Sequence, residues 1–147
     1  MSISLNLTDF YKKFNRITKK AIPEVVEKGL GKAGLQLLAD SILQRPTAPI
    51  KEGWLRGSGS VFVNNKCIGE SPSGRKGKAN KNHNESIKPR EMVGVVGFNV
   101  PYAARLHEGE QLKFREPSSG PKFLESKMAR NKNVYFKIIA NVIKGGR

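Results

Sequence analysis

The segment from Gly69 to Arg90 limits the folds that this chain can adopt, because it contributes almost nothing to a hydrophobic core. Its sequence is GESPSGRKGKANKNHNESIKPR, in which six Lys or Arg residues are spaced by Pro, Gly, Ser and Asn. The core must therefore come from the residues on either side. A chain of 147 residues is long enough for one sizeable core. We expect a single domain over residues 1–147, with a flexible basic loop at about 69–90.

Three interpretations of this segment compete: an arm that binds nucleic acid, a linker between two domains, and a loop that becomes ordered against other subunits. The linker is the weaker interpretation, because neither flank alone has enough apolar surface for a stable core. A loop of ~20 residues without structure of its own is uncommon in a compact domain and is usually functional or disordered. Since no apolar anchor lies between Ile68 and Ile87, we expect the loop to be mobile in the free subunit.

Apolar residues at spacings of three and four predict helices in both flanks. The first stripe is Leu7, Phe10, Tyr11, Phe14, Ile17 and Ala21. A second helix begins near Pro23 and continues to about Gln44, with the stripe Val26, Leu30, Ala33, Leu37 and Ser41. Its glycines at 29, 31 and 34 weaken the helix by up to roughly 1 kcal/mol each, so another element should pack closely there. The last helix begins at residues 119–121 and ends at 145–146, with the stripe Leu124, Met128, Tyr135, Ile138, Ile139 and Val142.

Between these helices the period changes to that of strands. One strand is centred on residues 61–63, and a second runs from Glu91 to Phe98. Because the basic segment lies between them, we expect antiparallel neighbours joined by an overlong hairpin loop. Pro101 then opens one or two helical turns. The predicted fold class is α+β: a small antiparallel sheet with a long extended hairpin loop, packed by N-terminal and C-terminal helices.

Charge and cysteine content restrict the classes of partner and site. The net charge of +15 favours a polyanionic partner, whether nucleic acid, an acidic protein surface or anionic lipid. The single cysteine, Cys67, excludes an internal disulfide and a cysteine-based zinc site. No stretch approaches the ~20 apolar residues of a membrane span, and the N-terminus does not read as a signal peptide. We therefore expect folding in a reducing cytoplasm and no membrane partner.

No convergent set of catalytic groups is visible. His107-Glu108 begins like the helical motif of zinc proteases, but the second His is absent and Gly109 would break the helix. The GSGS stretch at 57–60 lacks the lysine of a phosphate-binding loop. We expect a protein without enzymatic activity, metal or cofactor.

Nucleic-acid binding has more support from the sequence. The basic segment could neutralise phosphates through Arg75, Lys76, Lys78, Lys81, Lys88 and Arg90. It contains no aromatic residues to stack on bases, and no known DNA- or RNA-binding motif is present. Any contact with DNA should therefore be non-specific. A stand-alone basic nucleic-acid-binding protein is the alternative function, and a solvated loop is an equally good interpretation of the segment.

Three short blocks carry a resemblance to a known family. They are RPTAPIKEGWLRGSGSV at residues 45–61, VGVVGFNVPYAARLHEG at 93–109 and GPKFLESKM at 120–128, the first, second and third blocks below. Together and in this order they resemble the small tail-component proteins of long-tailed bacteriophages, the neck or tail-completion family of the head–tail junction. Its pattern is a loop ending Thr-Gly-x-Leu-Arg-x-Ser, a Tyr-Ala-x-x-x-Glu-x-Gly-Thr stretch and a Pro-x-x-Phe-Leu helix start. The chain departs from it at 51–53 and at Glu110.

The resemblance implies a structural protein of the virion, made in the host cytoplasm. It would form a homo-oligomeric ring, with a hexamer favoured, between portal-side connector or stopper proteins and the tail-tube protein. Whether this is a neck ring or a tail terminator stays open. The candidate contact residues are Gly53, Trp54, Leu55, Arg56, Tyr102, His107, Glu108 and Gly109.

Alternatives remain for several of these residues. Trp54 is either an anchor for a neighbouring subunit or a core residue, and Tyr102 and Phe123 are core residues by default. The basic loop would reach an acidic partner surface or the lumen through which DNA passes, and the sequence does not choose between them.

Overall fold

The computed structural model describes residues 2–6, 23–48, 55, 58–70, 92–98, 100, 102–109, 113 and 117–145. The described elements are β1 Ser2–Asn6, α1 Pro23–Leu43, β2 Gly59–Val63, β3 Lys66–Glu70, β4 Val93–Phe98, α2 Ala103–Glu108, α3 Glu125–Arg130 and α4 Lys132–Lys144. The predicted α+β class is confirmed. The helix predicted over the Leu7–Ala21 stripe lies outside the described residues.

Within the described residues, the sheet has four antiparallel strands in the order β1-β4-β2-β3. Val61 of β2 stands opposite Val96 of β4, which confirms that the two predicted strands are neighbours. Two strands were not predicted. β1 pairs with β4, and β3 returns along β2 through a tight turn at Asn64 and Asn65, whose φ angles are 47° and 68°. Two successive residues in this left-handed region are the signature of a two-residue hairpin turn.

The strand β3 corrects the boundaries of the predicted loop. Gly69 and Glu70, expected in the loop, belong to β3. The predicted direct hairpin between β2 and β4 therefore has a strand within it, and residues 71–91 lie outside the described ones. In β3, Gly69 pairs with Val61 and Cys67 pairs with Phe62, so Ile68 is an extra residue in a β-bulge. Such a bulge on an outer strand discourages pairing with a further strand.

Helix α1 lies between the sheet and α4, and its glycines make both contacts possible. A Cβ at Gly34 would stand 2.5 Å from Val61 Cγ1, and one at Gly29 would stand 3.2 Å from Ile139 Cα. This bears out the close packing that the glycines predicted. All five residues of the predicted stripe of α1 are buried: Val26, Leu30, Ala33, Leu37 and Ser41.

The C-terminal region differs from the prediction of one helix. Residues 121–124 form turns, and the helical stretch that follows is divided at Asn131 into α3 and α4. The Asn131 side chain donates hydrogen bonds to Gln44 Oε1 at 2.9 Å and to Asp40 Oδ2 at 3.4 Å. These hydrogen bonds fix the junction between α3 and α4 against α1 and the residue after it. Of the predicted stripe, Leu124, Tyr135, Ile139 and Val142 are buried, and Met128 and Ile138 pack on the core partly buried.

The other face of the sheet carries a smaller apolar cluster. Phe62, Val93 and Val95 are buried there, and the half-buried Cys67 packs against them. The single cysteine thus has the packing role of a small hydrophobic residue. The main core, on the α1 side, positions the region described next.

A candidate functional site where the three blocks meet

The first and third blocks are joined by backbone and side-chain hydrogen bonds. The backbone N–H of Gly120, in the third block, donates to Thr47 O at 3.4 Å. Just before that block, Ser118 O accepts the backbone N–H of Thr47 at 2.8 Å, and Ser119 forms an isolated parallel bridge with Thr47. The Lys127 amino group donates to Pro46 O at 2.5 Å. Gly120 lies so close that a Cβ there would stand 3.0 Å from Pro46 Cβ. The two segments are therefore held in contact although about 70 residues separate them.

The second and third blocks meet around Phe123. Its ring makes edge-to-face contacts with Phe98, at 5.4 Å between ring centroids, and with His107, at 5.0 Å. The backbone N–H of Lys122 donates to His107 O at 2.7 Å. Phe123 is fully buried, as predicted for a core residue. The three blocks of the resemblance thus come together at one place in the fold.

His107 is buried and its hydrogen bonds determine its tautomer. Nε2 accepts a hydrogen bond from the backbone N–H of Glu125 at 3.2 Å, so this nitrogen carries a lone pair. The neutral imidazole therefore has its proton on Nδ1, from which it donates to Glu108 Oε1 at 2.9 Å. His107 links α2 to the first residue of α3.

An ion cluster stands beside His107 at the surface. The Lys122 ammonium group donates to the carboxylate of Glu108 and lies 3.2 Å from Glu125 Oε2. The hydrogen bond from Lys122, followed by that from His107, lowers the pKa of Glu108, and the bond to Glu108 raises the pKa of Lys122. Lys122 has a φ of 56°, an uncommon conformation for a residue with a side chain.

The cluster has the ligand types of a metal site, but its bonding pattern does not fit one. Ligand atoms of His107, Glu108 and Glu125 all lie within 4.8 Å of one another. However, Nδ1 of His107 bears a proton and Nε2 already accepts an N–H, so neither nitrogen offers a lone pair to a cation. The Lys122 ammonium already pairs with both carboxylates. We therefore assign the cluster a structural role.

Two polar networks fix α1 and the loop that follows it to the C-terminal helices. Lys127 is fully buried, and besides Pro46 O it donates to Phe123 O at 3.0 Å and to Ser126 Oγ at 3.2 Å. Burial, with a smaller effect of nearby Arg130, lowers the pKa of Lys127 to about 8. A lysine amine held only by neutral acceptors gains little compensation for lost hydration.

The second network surrounds the buried carboxylate of Asp40. It accepts hydrogen bonds from Tyr135 Oη at 2.7 Å, Gln36 Nε2 at 2.8 Å and Gln44 Nε2 at 3.2 Å. Burial of the Tyr135 phenol raises its pKa well above the ordinary value. Within the described part of the chain, every buried side-chain nitrogen and oxygen has a hydrogen-bond partner.

The candidate contact residues fall in different environments. Leu55 and His107 are buried, Gly109 is half-buried, and Tyr102 and Glu108 are exposed. Tyr102 is 42% exposed, so its assignment to the core is wrong. The remaining candidates lie outside the described residues: Gly53, Trp54, Arg56, Arg75, Lys76, Lys78, Lys81, Lys88 and Arg90.

Sequence reasoning missed the buried charges. Lys127 and Asp40 are among the best-buried polar residues, yet both belong to types that are usually exposed. Helical spacing contained a signal for each: Lys127 follows Leu124 by three positions, and Asp40 follows Ala33 by seven and Leu37 by three. Lys122 had no such signal, because its position depends on a turn.

Comparison with protein-family models found no match to this chain, and neither curated proteins nor solved structures gave a match. None of the described helices is both long enough and apolar enough to cross a membrane.

Proposed function

We propose that the chain is a virion structural protein of a tailed bacteriophage, forming a homo-oligomeric ring at the head–tail junction that joins the connector to the tail tube. The observation that carries this proposal is the meeting of the three resembling blocks around Phe123. Sequence blocks that recur together in a family are expected to be linked in its fold. Here they are linked by Lys127 to Pro46 and by His107 to Glu125.

The described residues that flank and accompany the candidate contacts support the same proposal. Along the chain, Gly53 and Trp54 come between two buried residues, Ala48 and Leu55. Tyr102 is exposed beside the site, and an exposed tyrosine is among the residue types enriched at the centres of interfaces.

The net charge also supports a role at the head–tail junction. A net charge of +15 suits a ring whose neighbours include acidic protein surfaces and packaged DNA. The basic loop residues, Arg75 to Arg90, would then meet one of these polyanions, with non-specific contacts if the polyanion is DNA.

Deletion of the coding gene tests the proposal in the phage or prophage that carries it. We expect lysates with filled heads and tails that are not joined, or with tails of abnormal length, in electron micrographs. Addition of the purified protein should restore infectious particles. Normal infectious particles from the deletion strain would contradict the proposal. Neighbouring genes for portal, capsid and tail-tube proteins would support it.

The alternative, a stand-alone nucleic-acid-binding protein, is favoured by the net charge alone. It predicts DNA binding that weakens steeply with salt and a deletion strain with normal particles. The same deletion therefore separates the two functions.

A further inference from the structure

The outward side of α1 carries a strip of residues between β3 and α4. Besides this strip, Glu24, Glu27 and Gln36 of α1 are also exposed. The strip follows helical spacing and consists of Lys28, Lys32, Leu35, Ala39 and Leu43. Ala39 is half-buried and the other four residues are exposed. The strip is thus basic in its first half and apolar in its second half.

Two elements border this strip and make it the floor of a groove, called the α1 groove below. On one side is β3, where Ile68 packs against Gly31 and Leu35 packs against Gly69. On the other side is α4, where Asn141 and Gly145 share an open cavity of about 390 Å³ with Lys32.

Exposed apolar side chains are concentrated at this groove. The described residues have five large exposed hydrophobic side chains: Leu35, Leu43, Ile68, Tyr102 and Val134. Leu35 and Leu43 lie on the floor of the groove, and Ile68 lies on its β3 wall. Leu43 is 78% exposed.

Val134 is the exposed hydrophobic residue of α4. It precedes Asn141 by seven residues, which places both on the same side of the helix. Because α1 and α4 are antiparallel, with Gly29 near Ile139 and Asp40 bonded to Tyr135, Val134 lies beside the apolar half of the strip. Leu35, Leu43 and Ile68 thus line the groove, and Val134 lies on the side of α4 that carries Asn141; exposed apolar side chains grouped in this way mark an interaction site.

We infer that the α1 groove binds an amphipathic helix of an acidic partner protein, with apolar side chains against Leu35 and Leu43 and carboxylates against Lys28 and Lys32. The strip spans about 22 Å at 1.5 Å per residue, which is about four helical turns. A helix in a groove uses apolar anchors at spacings of three, four and seven, which match this length. Neither lysine forms an ion pair with another described residue, so both are available to a partner.

A second copy of this chain fits the groove poorly. The net charge of +15 opposes self-association through a surface with two lysines. The longest described helix other than α1 is α4, and its sequence, KNVYFKIIANVIK, contains no acidic residue. Nucleic acid also fits poorly, because half of the strip is apolar and offers nothing to phosphates. The inference does not depend on where in a virion, or whether in one, the protein acts.

Two synthetic helical peptides of about 16 residues test the inference with the full-length protein. Both peptides carry Leu at positions 1, 4 and 8, which lie on one face of a helix. The C-terminal half of that face carries Glu in one peptide and Lys in the other. Fluorescence anisotropy at about 150 mM salt should show that the Glu peptide binds at least about tenfold more tightly than the Lys peptide. Lys32→Glu should reduce or invert that preference, and Leu43→Ser should weaken binding of the Glu peptide by about tenfold.

The matched control is Arg105→Glu, which makes the same change of charge at an exposed residue of α2, a helix that does not border the groove, and should leave binding unchanged. Circular dichroism should show all variants folded, since both substituted positions in the groove are exposed. Equal binding of the two peptides, or no binding of either, would overturn the inference. So would self-association abolished by Leu43→Ser, or binding of a short DNA duplex that Lys32→Glu abolishes and Leu43→Ser leaves unchanged.

Discussion

Lys127 donates a hydrogen bond from its buried amino group to the carbonyl oxygen of Pro46 at 2.5 Å, across the boundary between the first and third blocks. The bond joins the loop that follows α1 to the start of the C-terminal helices. Because Lys127 is fully buried, this contact must form whenever the native fold forms. The effect of this burial on the pKa of Lys127 can be measured in the isolated subunit.

The pH dependence of stability follows from this burial. The pKa of Lys127 is about 8 in the folded protein, against 10.5 for an ordinary lysine, so the unfolded chain binds more protons between these values. The free energy of unfolding should therefore rise from pH 8 upward relative to Lys127→Met, by up to about 3 kcal/mol. Below pH 8 the difference between the two proteins should be constant.

Urea unfolding of both proteins between about pH 7 and about pH 9.5 checks this prediction. Comparison with the Met variant removes the contribution of Tyr135. Its raised pKa makes both proteins lose stability only above the ordinary tyrosine pKa of 10.0. If the free energies of unfolding of the two proteins changed with pH in parallel, the burial of a titrating amine at position 127 would be contradicted.

The bond between Asp40 and Tyr135 predicts a thermodynamic coupling. Tyr135→Phe should cost about 1 kcal/mol, because it removes one hydrogen bond and leaves the carboxylate with its amide donors. Asp40→Ala should cost about 3 kcal/mol or more, because it leaves the buried phenol and several amides without their acceptor. Denaturant unfolding of the double mutant should show a coupling of at least about 0.5 kcal/mol. Additive effects would show that the two side chains do not interact.

Two glycines of α1 form a matched pair of substitutions. A Cβ at Gly34 would stand 2.5 Å from Cγ1 of the buried Val61, and one at Gly31 would stand 2.5 Å from Cδ1 of the half-exposed Ile68. Gly34→Ala should therefore destabilise the protein by about 2 kcal/mol. Gly31→Ala should be nearly neutral, since the end of Ile68 can move and alanine favours the helix by up to about 1 kcal/mol. Thermal unfolding checks both, and equal effects would refute the packing described at Val61.

The tautomer of His107 is a spectroscopic prediction. Its Nε2 should lack a proton and its Nδ1 should carry one, because Nε2 accepts the Glu125 N–H. Nitrogen-15 chemical shifts of the imidazole at neutral pH distinguish the two nitrogens. Glu108→Gln should leave the assignment unchanged, since Glu108 only accepts from Nδ1. A proton on Nε2 would contradict the link between α2 and α3.

The helices of this fold were more predictable than its sheet or its buried charges. The stripe from Val26 to Ser41 predicted α1 because a helix buried along most of its circumference repeats its apolar positions over several turns. The strand β3 was missed because Lys66, Gly69 and Glu70 are poor strand formers, so its pairing with β2 outweighs local preference. The Asn64-Asn65 turn was its only local signal.

The site could be predicted only in part, because it depends on contacts between distant segments. The blocks around Pro46, His107 and Phe123 were each visible in the sequence, but their meeting is a property of the folded chain. The division between α3 and α4 was missed because Met128 and Tyr135 keep a helical spacing of seven although Asn131 occupies the position between them. Its effect comes from hydrogen bonds to α1.

The basic loop gives a prediction for assembly. Replacement of Arg75, Lys76, Lys78 and Lys81 together by Ser should leave the melting temperature of the subunit unchanged and should weaken head–tail joining or DNA retention. Joining by the wild type should weaken as salt is added, because the Debye length is only ~8 Å at physiological ionic strength. Joining by the variant should already be weak at low salt. Normal joining by the variant at all salt concentrations would make the segment a solvated loop.

Localisation of the protein in purified particles tests the proposed function most directly. Particles of the phage that encodes the chain can be imaged by electron cryomicroscopy and averaged around the neck and upper tail. We expect a ring of copies between the portal-side connector and the tail tube, into whose density the sheet, α1 and α4 fit. Absence of this protein from the neck and upper tail of infectious particles would contradict it.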